Sequence, residues 1–107
     1  MTTELRLYTV NKGMMDEWIA AFNKYIMPTS DKFGIRIHFG FVNAPQNEWI
    51  WCRSYDSKEV MDAYMASPDR AAYADITGRC IAKTEVRTVD LRLGEVNVAN
   101  KAMAGAL

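Results

Sequence analysis

The sequence predicts an α+β fold built from four strands and two helical regions in the order βαββαβ. Three observations predict it. Residues typical of strands fill 4–10, 35–42, 48–55 and 83–93. Apolar residues recur at helical spacing between the first and second of these segments and between the third and fourth, and only a short loop separates the second from the third. This is the order of ferredoxin-like domains, in which one four-stranded antiparallel sheet carries both helices on one face.

The first strand presents different chemistry on its two faces. Leu5 and Leu7 share one face, and we expect that face to pack against the helices. The other face carries polar and aromatic side chains, which are Glu4, Arg6 and Tyr8. We therefore expect these three side chains to point away from the helices.

The first helical region is predicted to begin near Met14, after a turn-forming Asn-Lys-Gly sequence and with acidic residues in its first turn. Its apolar stripe consists of Trp18, Phe22, Tyr25, Ile26 and Phe33. Pro28 lacks a backbone N–H, so we expect it to kink this helix or to begin a second turn of it. Gly34 suits the left-handed position just past a helix end.

The second and third strands form a hairpin whose register depends on the length of its loop. A five-residue loop pairs Val42 with Glu48 and places His38 opposite Cys52. A four-residue loop shifts the pairing by one residue and places His38 beside Arg53. In either register both faces of the hairpin carry large apolar side chains.

The second helical region opens with Asp56 or Ser57 as the N-cap. A further short helix follows, with Ser67 as its cap, Pro68 at its first position and an end near Tyr73. After Gly78 the chain is rich in β-branched residues and forms the last strand.

The 107 residues make one domain, with a folded part over 1–93 and a tail over 94–107 for which no structure is predicted. Thirteen basic and thirteen acidic residues cancel and form no block, so neither nucleic acid nor a membrane surface is an expected partner. No apolar run is long enough to span a bilayer. Cys52 and Cys80 lie far apart without metal-ligand neighbours, so we expect free thiols and a cytoplasmic location.

The helices of the predicted fold cover only one face of the sheet, yet both faces are apolar. Exposed tryptophans would form a patch of a size that monomers rarely tolerate. Burying such rings stabilises a fold by several kcal/mol at about 25 cal/mol per Å². We therefore expect the sheet to pack against a second copy of itself.

Several stretches carry a resemblance to a known family: ELRLYTV-NKG-MMDEW, the Met-Pro of the first helix, NEWIW, YDSKE and the later Ser-Pro. Over residues 4 to about 93 they resemble the NIPSNAP family of the dimeric α+β barrel superfamily. The resemblance implies a homodimer in which two ferredoxin-like protomers face their sheets together around an enclosed space. Enzymes of that superfamily include isomerases, lyases, cyclases and cofactor-independent monooxygenases.

A candidate small-molecule site lies in or beside this inter-sheet space. Its predicted members are His38, Tyr8, Arg6, Arg36, Trp51, Arg53 and Tyr55. Guanidinium groups suit carboxylate or enolate oxygens, and an indole suits the face of an aromatic ring. A histidine side chain has an unperturbed pKa of about 6.5, so His38 is the predicted general base, with Tyr8 returning the proton.

Each member also has a structural interpretation. Glu4 and Arg6 suit an ion pair, with Glu85 or Arg87 of the last strand as a further partner. The tryptophans suit the core of a dimer interface, and Arg36 suits an edge strand. A lone histidine among apolar neighbours is more often structural than catalytic.

Two classes of function follow from these alternatives. The first is a cofactor-free acid–base enzyme acting on a polar, partly aromatic small molecule. The second is a non-catalytic ligand-binding or structural dimer. The sequence contains no metal-ligand cluster, no phosphate-binding glycine motif and no nucleophile-elbow motif, so neither a metal nor a cofactor is expected.

Overall fold

The computed structural model of the chain describes residues 1–90, 92, 99 and 100. Four strands form one sheet in the spatial order β2-β3-β1-β4, and every neighbouring pair is antiparallel. The strands are β1 (Thr2–Val10), β2 (Arg36–Asn43), β3 (Glu48–Tyr55) and β4 (Ile81–Val89). The predicted ferredoxin-like α+β fold is confirmed.

The first helical region consists of α1 (Met15–Ala21), a π-helical turn (Phe22–Ile26) and α2 (Met27–Lys32). The backbone N–H of Met27 donates to the carbonyl of Phe22, five residues back. Pro28 follows in the first turn of α2, where a missing N–H is best tolerated. The wide turn therefore lets the helix continue past a proline, and the predicted restart at Pro28 is confirmed.

Gly34 ends α2 in the left-handed conformation, with φ of +71°. Its N–H donates to the carbonyl of Asp31 at 3.0 Å, and the N–H of Ile35 donates to the carbonyl of Ser30 at 2.8 Å. These two bonds satisfy carbonyls that a helix end leaves open, and a residue without Cβ adopts this φ without strain. The chain turns here into β2.

The second helical region contains three helices rather than two. They are α3 (Lys58–Met65), α4 (Pro68–Ala71) and α5 (Ala74–Cys80). Ser57 and Ser67 cap the first two through their hydroxyls, as the sequence predicts. The helix expected to end near Tyr73 stops at Ala71 instead, and α5 was not predicted because Gly78, interpreted as a break, lies inside it.

The last strand begins two residues earlier than predicted, at Ile81, and ends at Val89. The predicted end of the strand at residue 93 and most of the 94–107 tail lie outside the described residues. Within that tail the structure describes Ala99 and Asn100. The Asn100 side chain, 2% exposed, accepts from the N–H of Ile37 at 2.9 Å and donates to the carbonyl of Ile35 at 2.8 Å, so it ties this residue to the outer edge of β2.

The prediction of which sheet face meets the helices is wrong. The core between sheet and helices contains Tyr8, Trp18, Phe22, Trp49 and Trp51. Phe22 packs against both β3 tryptophans, with ring centroids 5.2 and 5.0 Å apart. These large rings bury more apolar area than two leucines would, which decides the face.

Leu5 and Leu7 consequently lie on the opposite face of the sheet, which we call the open face, since β1 side chains alternate. Both leucines are partly buried within one chain. The tryptophans belong to the core of the single chain, so their predicted place in a dimer interface is wrong as well.

The hairpin loop is the shorter of the two alternatives, since Val42 pairs with Trp49 and Asn43 with Glu48. A short 3₁₀ turn and the left-handed Asn47, with φ of +50°, close it. The four-residue register does not extend to His38, because a bulge shifts the pairing between Ile37 and Phe39. His38 therefore lies at the bulge, between the two registers of the ladder.

Cys52 and Cys80 are free and buried, and burial raises the pKa of both thiols. Among the described residues no helix is both long and apolar enough to cross a membrane.

Candidate functional site

A cavity of about 380 Å³ lies between the helix-bearing face of the sheet and the second helical region. Its walls come from β1, β3, the first helical region and helices α3 to α5. We call it the helix-side cavity. The sequence placed a pocket in the space between two facing sheets, whereas this cavity lies within one chain on the other side of its sheet.

Four of the seven predicted site residues line the helix-side cavity together: Arg6, Tyr8, Trp51 and Arg53. Alternation places the two β1 residues on one face and the two β3 residues on the same face. Arg6 pairs directly with Trp51 across the two strands. The sequence thus grouped these four side chains correctly while assigning them to the wrong face.

Glu4 holds the charged part of this wall in place. Its Oε1 accepts hydrogen bonds from Arg6 Nη1 and from Arg53 Nε, both at 2.8 Å. Its Oε2 accepts from the hydroxyl of Tyr55 at 3.1 Å. Tyr55, a further predicted member, therefore lies beside the cavity wall rather than in it.

The electrostatics of the network follow from burial and charge pairing. Burial alone would raise the pKa of the Glu4 carboxyl, but Arg53 and Arg6 together hold it below its ordinary value. Burial also opposes the charge of Arg6, yet its contacts with Tyr8 and Glu4 raise its pKa. For Tyr55, burial and then the neighbouring carboxylate raise the pKa. All three groups keep their ordinary protonation at neutral pH.

Both guanidinium groups lie against the Trp51 indole. The central carbon of Arg6 is 5.7 Å from the ring centroid and that of Arg53 is 5.4 Å from it. Cations at such distances from an indole are attracted by its ring electrons. The indole and Glu4 together position the two guanidinium groups on one wall of the cavity.

Arg6 also orients Tyr8. Its Nε donates a hydrogen bond to the Tyr8 hydroxyl at 3.1 Å. That hydroxyl therefore acts as an acceptor toward the protein, and its own proton points elsewhere. Within the described part of the chain this hydroxyl donates no hydrogen bond, and Tyr8 lines the cavity.

The second helical region contributes lining residues that the sequence did not assign to a site: Met61, Tyr64, Met65, Arg70, Tyr73, Ala74 and Thr77. The methionines and Tyr64 were visible only as the apolar stripe of α3. No feature of the sequence indicated the α5 residues Ala74 and Thr77, because that helix was not predicted. Arg70 adds a third guanidinium, and no carboxylate within residues 1–90 forms an ion pair with it.

His38 does not reach the cavity. Its Nε2 is hydrogen-bonded to Ser54 Oγ at 2.7 Å, and Ser54 Oγ to Thr3 Oγ1 at 2.7 Å. Thr3 and Ser54 alternate with the cavity-facing residues of their strands, so this partly buried chain of hydrogen bonds lies on the open face. His38 and Tyr8 are therefore on opposite faces of the sheet, and the expectation that they act together on one ligand is wrong.

Arg36 is also remote from the cavity. It lies on the edge strand β2, where its Nη2 pairs with Asp56 Oδ1 at 2.9 Å. The alternative of an ion pair for Glu4 and Arg6 is confirmed, with Arg53 as the further partner. Glu85 pairs instead with its own strand neighbours.

The cavity therefore combines several cations and aromatic rings with little negative charge. Among the described lining residues there is neither a carboxylate nor a histidine. No group of three or more metal-binding side chains occurs in the described part of the chain. Such a wall can bind an anionic group of a ring-containing molecule and can donate hydrogen bonds to its oxygens.

Comparison with known proteins supports the fold. No family model and no curated protein matches the sequence. Among solved structures, an uncharacterised NIPSNAP-like domain protein from Burkholderia xenovorans superposes with a TM-score of 0.76 at 13% identity, over 91% of this chain and 90% of that one. A NIPSNAP family protein of unknown function from Agrobacterium tumefaciens has a TM-score of 0.75 at 18% identity, with 90% and 93% covered.

A provisionally assigned antibiotic biosynthesis monooxygenase from Nitrosomonas europaea superposes with a TM-score of 0.69 at 9% identity, over 87% of this chain and all of that one. Identities this low are evidence for the fold rather than for a shared activity. The predicted resemblance is confirmed at that level: the chain has the ferredoxin-like fold of the NIPSNAP domain proteins.

Proposed function

We propose that the protein binds a planar organic anion in the helix-side cavity. The observation that carries this proposal is the charge of the wall. Arg6 and Arg53 share a single carboxylate, Glu4, and that carboxylate is behind the wall. Among the described residues one positive charge of the pair is left without a counter-ion, and Arg70 adds another to the same lining.

The size and the lining of the cavity support a ring-containing ligand. A volume of about 380 Å³ is within the range of small-molecule sites. Aromatic side chains form much of the lining, including Trp18, Trp51 and Tyr64. Their faces favour a flat molecule, and the guanidinium groups favour a carboxylate, phenolate or enolate on it.

A second candidate function is cofactor-free acid catalysis on the same ligand, and the geometry of Tyr8 favours it. Because its hydroxyl accepts from Arg6, its proton is available to a bound molecule. The neighbouring guanidinium would stabilise the tyrosinate left behind. The fold shared with a provisionally assigned monooxygenase also supports chemistry in this architecture.

We also propose that the protein is a homodimer formed through the open face. Alternation and strand pairing place a continuous apolar band there: Leu5, Leu7, Phe39, Phe41, Ile50 and Cys52. The rings of Phe39 and Phe41 stack with centroids 4.9 Å apart, and Phe41 is 58% exposed in the single chain. A second copy offers the same band in return, which suits a two-fold interface.

Titration calorimetry with 1-naphthoate and its neutral analogue 1-naphthamide tests the binding proposal. We expect the acid to bind about tenfold or more tightly than the amide, which corresponds to a charge-assisted contact of about 1.5 kcal/mol. Arg70→Met should remove much of that difference.

Arg36→Met is the matched control, since Arg36 is also a partly buried arginine but lies outside the cavity. It should leave the preference for the acid unchanged. Equal binding of the acid and the amide, or no binding of either, would contradict the proposal.

A further inference from the structure

Two tyrosines from the second helical region meet in the helix-side cavity. Tyr64 belongs to α3, and Tyr73 immediately precedes α5. Both line the cavity, and they are 4% and 6% exposed. Their hydroxyls are hydrogen-bonded to each other. The proposed function uses the ring face of Tyr64, but it assigns no role to either hydroxyl.

The count of protons in this pair leaves one donor unused. Two hydroxyls carry two protons, and the bond between them uses one, whichever oxygen donates. Among the described residues no second partner accepts from either hydroxyl. Burial and then the hydrogen bond with Tyr64 raise the pKa of Tyr73. Its hydroxyl therefore keeps its proton at neutral pH and acts as a hydrogen-bond donor rather than as a base. A buried donor without an acceptor is costly, and because both tyrosines line the cavity, a ligand bound there would be in a position to supply the acceptor.

Nearby charge favours an acceptor that carries negative charge. The central guanidinium carbon of Arg53 is 6.0 Å from the centroid of the Tyr64 ring. Arg70 lines the same cavity from α4, between the two tyrosines in sequence. An oxygen placed at the hydroxyl pair would therefore receive a hydrogen bond in a positively charged environment.

We infer that the Tyr64–Tyr73 pair donates a hydrogen bond to a second oxygen of the bound anion. This inference rests on the proposed function, because it assumes that the arginines hold one acidic group of the ligand. It narrows the ligand class to planar acids that carry a carbonyl or oxyanion oxygen besides that group. The tyrosine pair thus determines which anions bind best, whereas the arginines provide the affinity for the acidic group.

The competing explanation is that the hydroxyl pair only fastens α3 to α5. The two roles differ in what a double substitution does. Tyr64→Phe combined with Tyr73→Phe replaces both partners by apolar groups of nearly the same shape, which removes the bond without stranding a donor. A single substitution is less informative, because the remaining hydroxyl could still donate its proton to a ligand.

The experiment compares matched aromatic acids by titration calorimetry. The 2-, 3- and 4-acetylbenzoates offer a carbonyl oxygen, and the corresponding isopropylbenzoates have the same shape without an acceptor. In the unmodified protein, at least one acetyl isomer should bind about tenfold more tightly than its isopropyl counterpart. The double phenylalanine variant should bind both equally while keeping its affinity for the isopropyl acid.

Tyr25→Phe is the control variant, because its ring stacks on Tyr73 at 6.2 Å but does not line the cavity. It should preserve the preference for the acetyl acid. Equal binding of acetyl and isopropyl acids by the unmodified protein would overturn this inference and leave the proposed function standing. A preference that survives in the double variant would overturn it too. Failure of every acid to bind would overturn the proposed function itself.

Discussion

At the scale of single residues, the helix-side cavity depends on one carboxylate. Glu4 binds Arg6, Arg53 and Tyr55 at once, so it sets the positions of two cations that would otherwise repel each other. The sequence pointed to several of these side chains because residues two apart on a strand share a face. The sequence could not show that Glu4 and Arg6 would be partly buried, because their further ion-pair partner, Arg53, comes from another strand.

Replacing Glu4 by Gln should destabilise the fold by about 2–3 kcal/mol at neutral pH, because two partly buried guanidinium groups lose their counter-ion. The pKa of Glu4 is depressed in the folded state. Its ionised form therefore contributes stability above the ordinary value of 4.5, and that contribution is lost as pH falls through the folded-state value. Denaturant unfolding from about pH 3 to pH 7 should show the two proteins converging toward acid pH.

Glu85→Gln provides the control for this experiment. Lys83 and Arg87 also lower the pKa of Glu85, but both of these ion pairs are exposed to solvent. Exposed ion pairs contribute little, so this change should have a much smaller effect than Glu4→Gln. Equal effects of the two substitutions would show that the Glu4 network is not what stabilises the wall.

At the scale of elements, the strands and the first helical region were predictable, and local exceptions were not. Pro28 and Gly34 act through backbone rules that a sequence reveals directly. The bulge at His38 does not follow from any such rule, because the Ile37–Phe39 stretch has ordinary strand residues on both sides. Helix α5 was hidden by Gly78, which is tolerated in an exposed helix.

Gly40 of β2 leaves room for the Trp49 ring of the neighbouring strand β3. A Cβ atom there would approach the Trp49 ring to 2.5 and 2.6 Å. Since Trp49 is buried against Phe22, it has little room to move. Gly40→Ala should therefore cost about 1–3 kcal/mol of unfolding free energy.

Gly78→Ala is the natural comparison, since nothing lies within 4 Å of its added Cβ. In a helix this change should stabilise by up to about 1 kcal/mol. Thermal or denaturant unfolding should thus give opposite signs for the two glycines. A neutral Gly40→Ala would mean that the Trp49 ring shifts freely.

At the scale of the whole molecule, the sequence correctly indicated two apolar sheet faces but led to the wrong prediction of which face the helices cover. Leu5 and Leu7 looked like core residues, whereas the aromatic and charged side chains of the same strand occupy that place. The open face, which carries Leu5 and Leu7, is apolar enough to explain why a dimer is expected. It also separates the predicted proton-transfer pair, His38 and Tyr8, across the sheet.

Two adjacent residues of β2 test the dimer. Phe41 and Val42 are 58% and 47% exposed in the single chain, and alternation directs them to opposite faces. Phe41→Glu should dissociate the dimer in analytical ultracentrifugation, because it places a charge in the apolar band of the open face. Val42→Glu should leave the dimer intact. A monomeric unmodified protein at micromolar concentration, or dissociation by the Val42 variant alone, would contradict an interface on the open face.

A crystal structure of the protein with 1-naphthoate would show directly whether the helix-side cavity binds a planar anion. We expect the ring to lie against Trp51 within the helix-side cavity, with the carboxylate about 2.7–3.0 Å from a nitrogen of Arg6, Arg53 or Arg70. Naphthoate bound instead on the open face beside His38, with none in the helix-side cavity, would show that the proposed binding site is wrong.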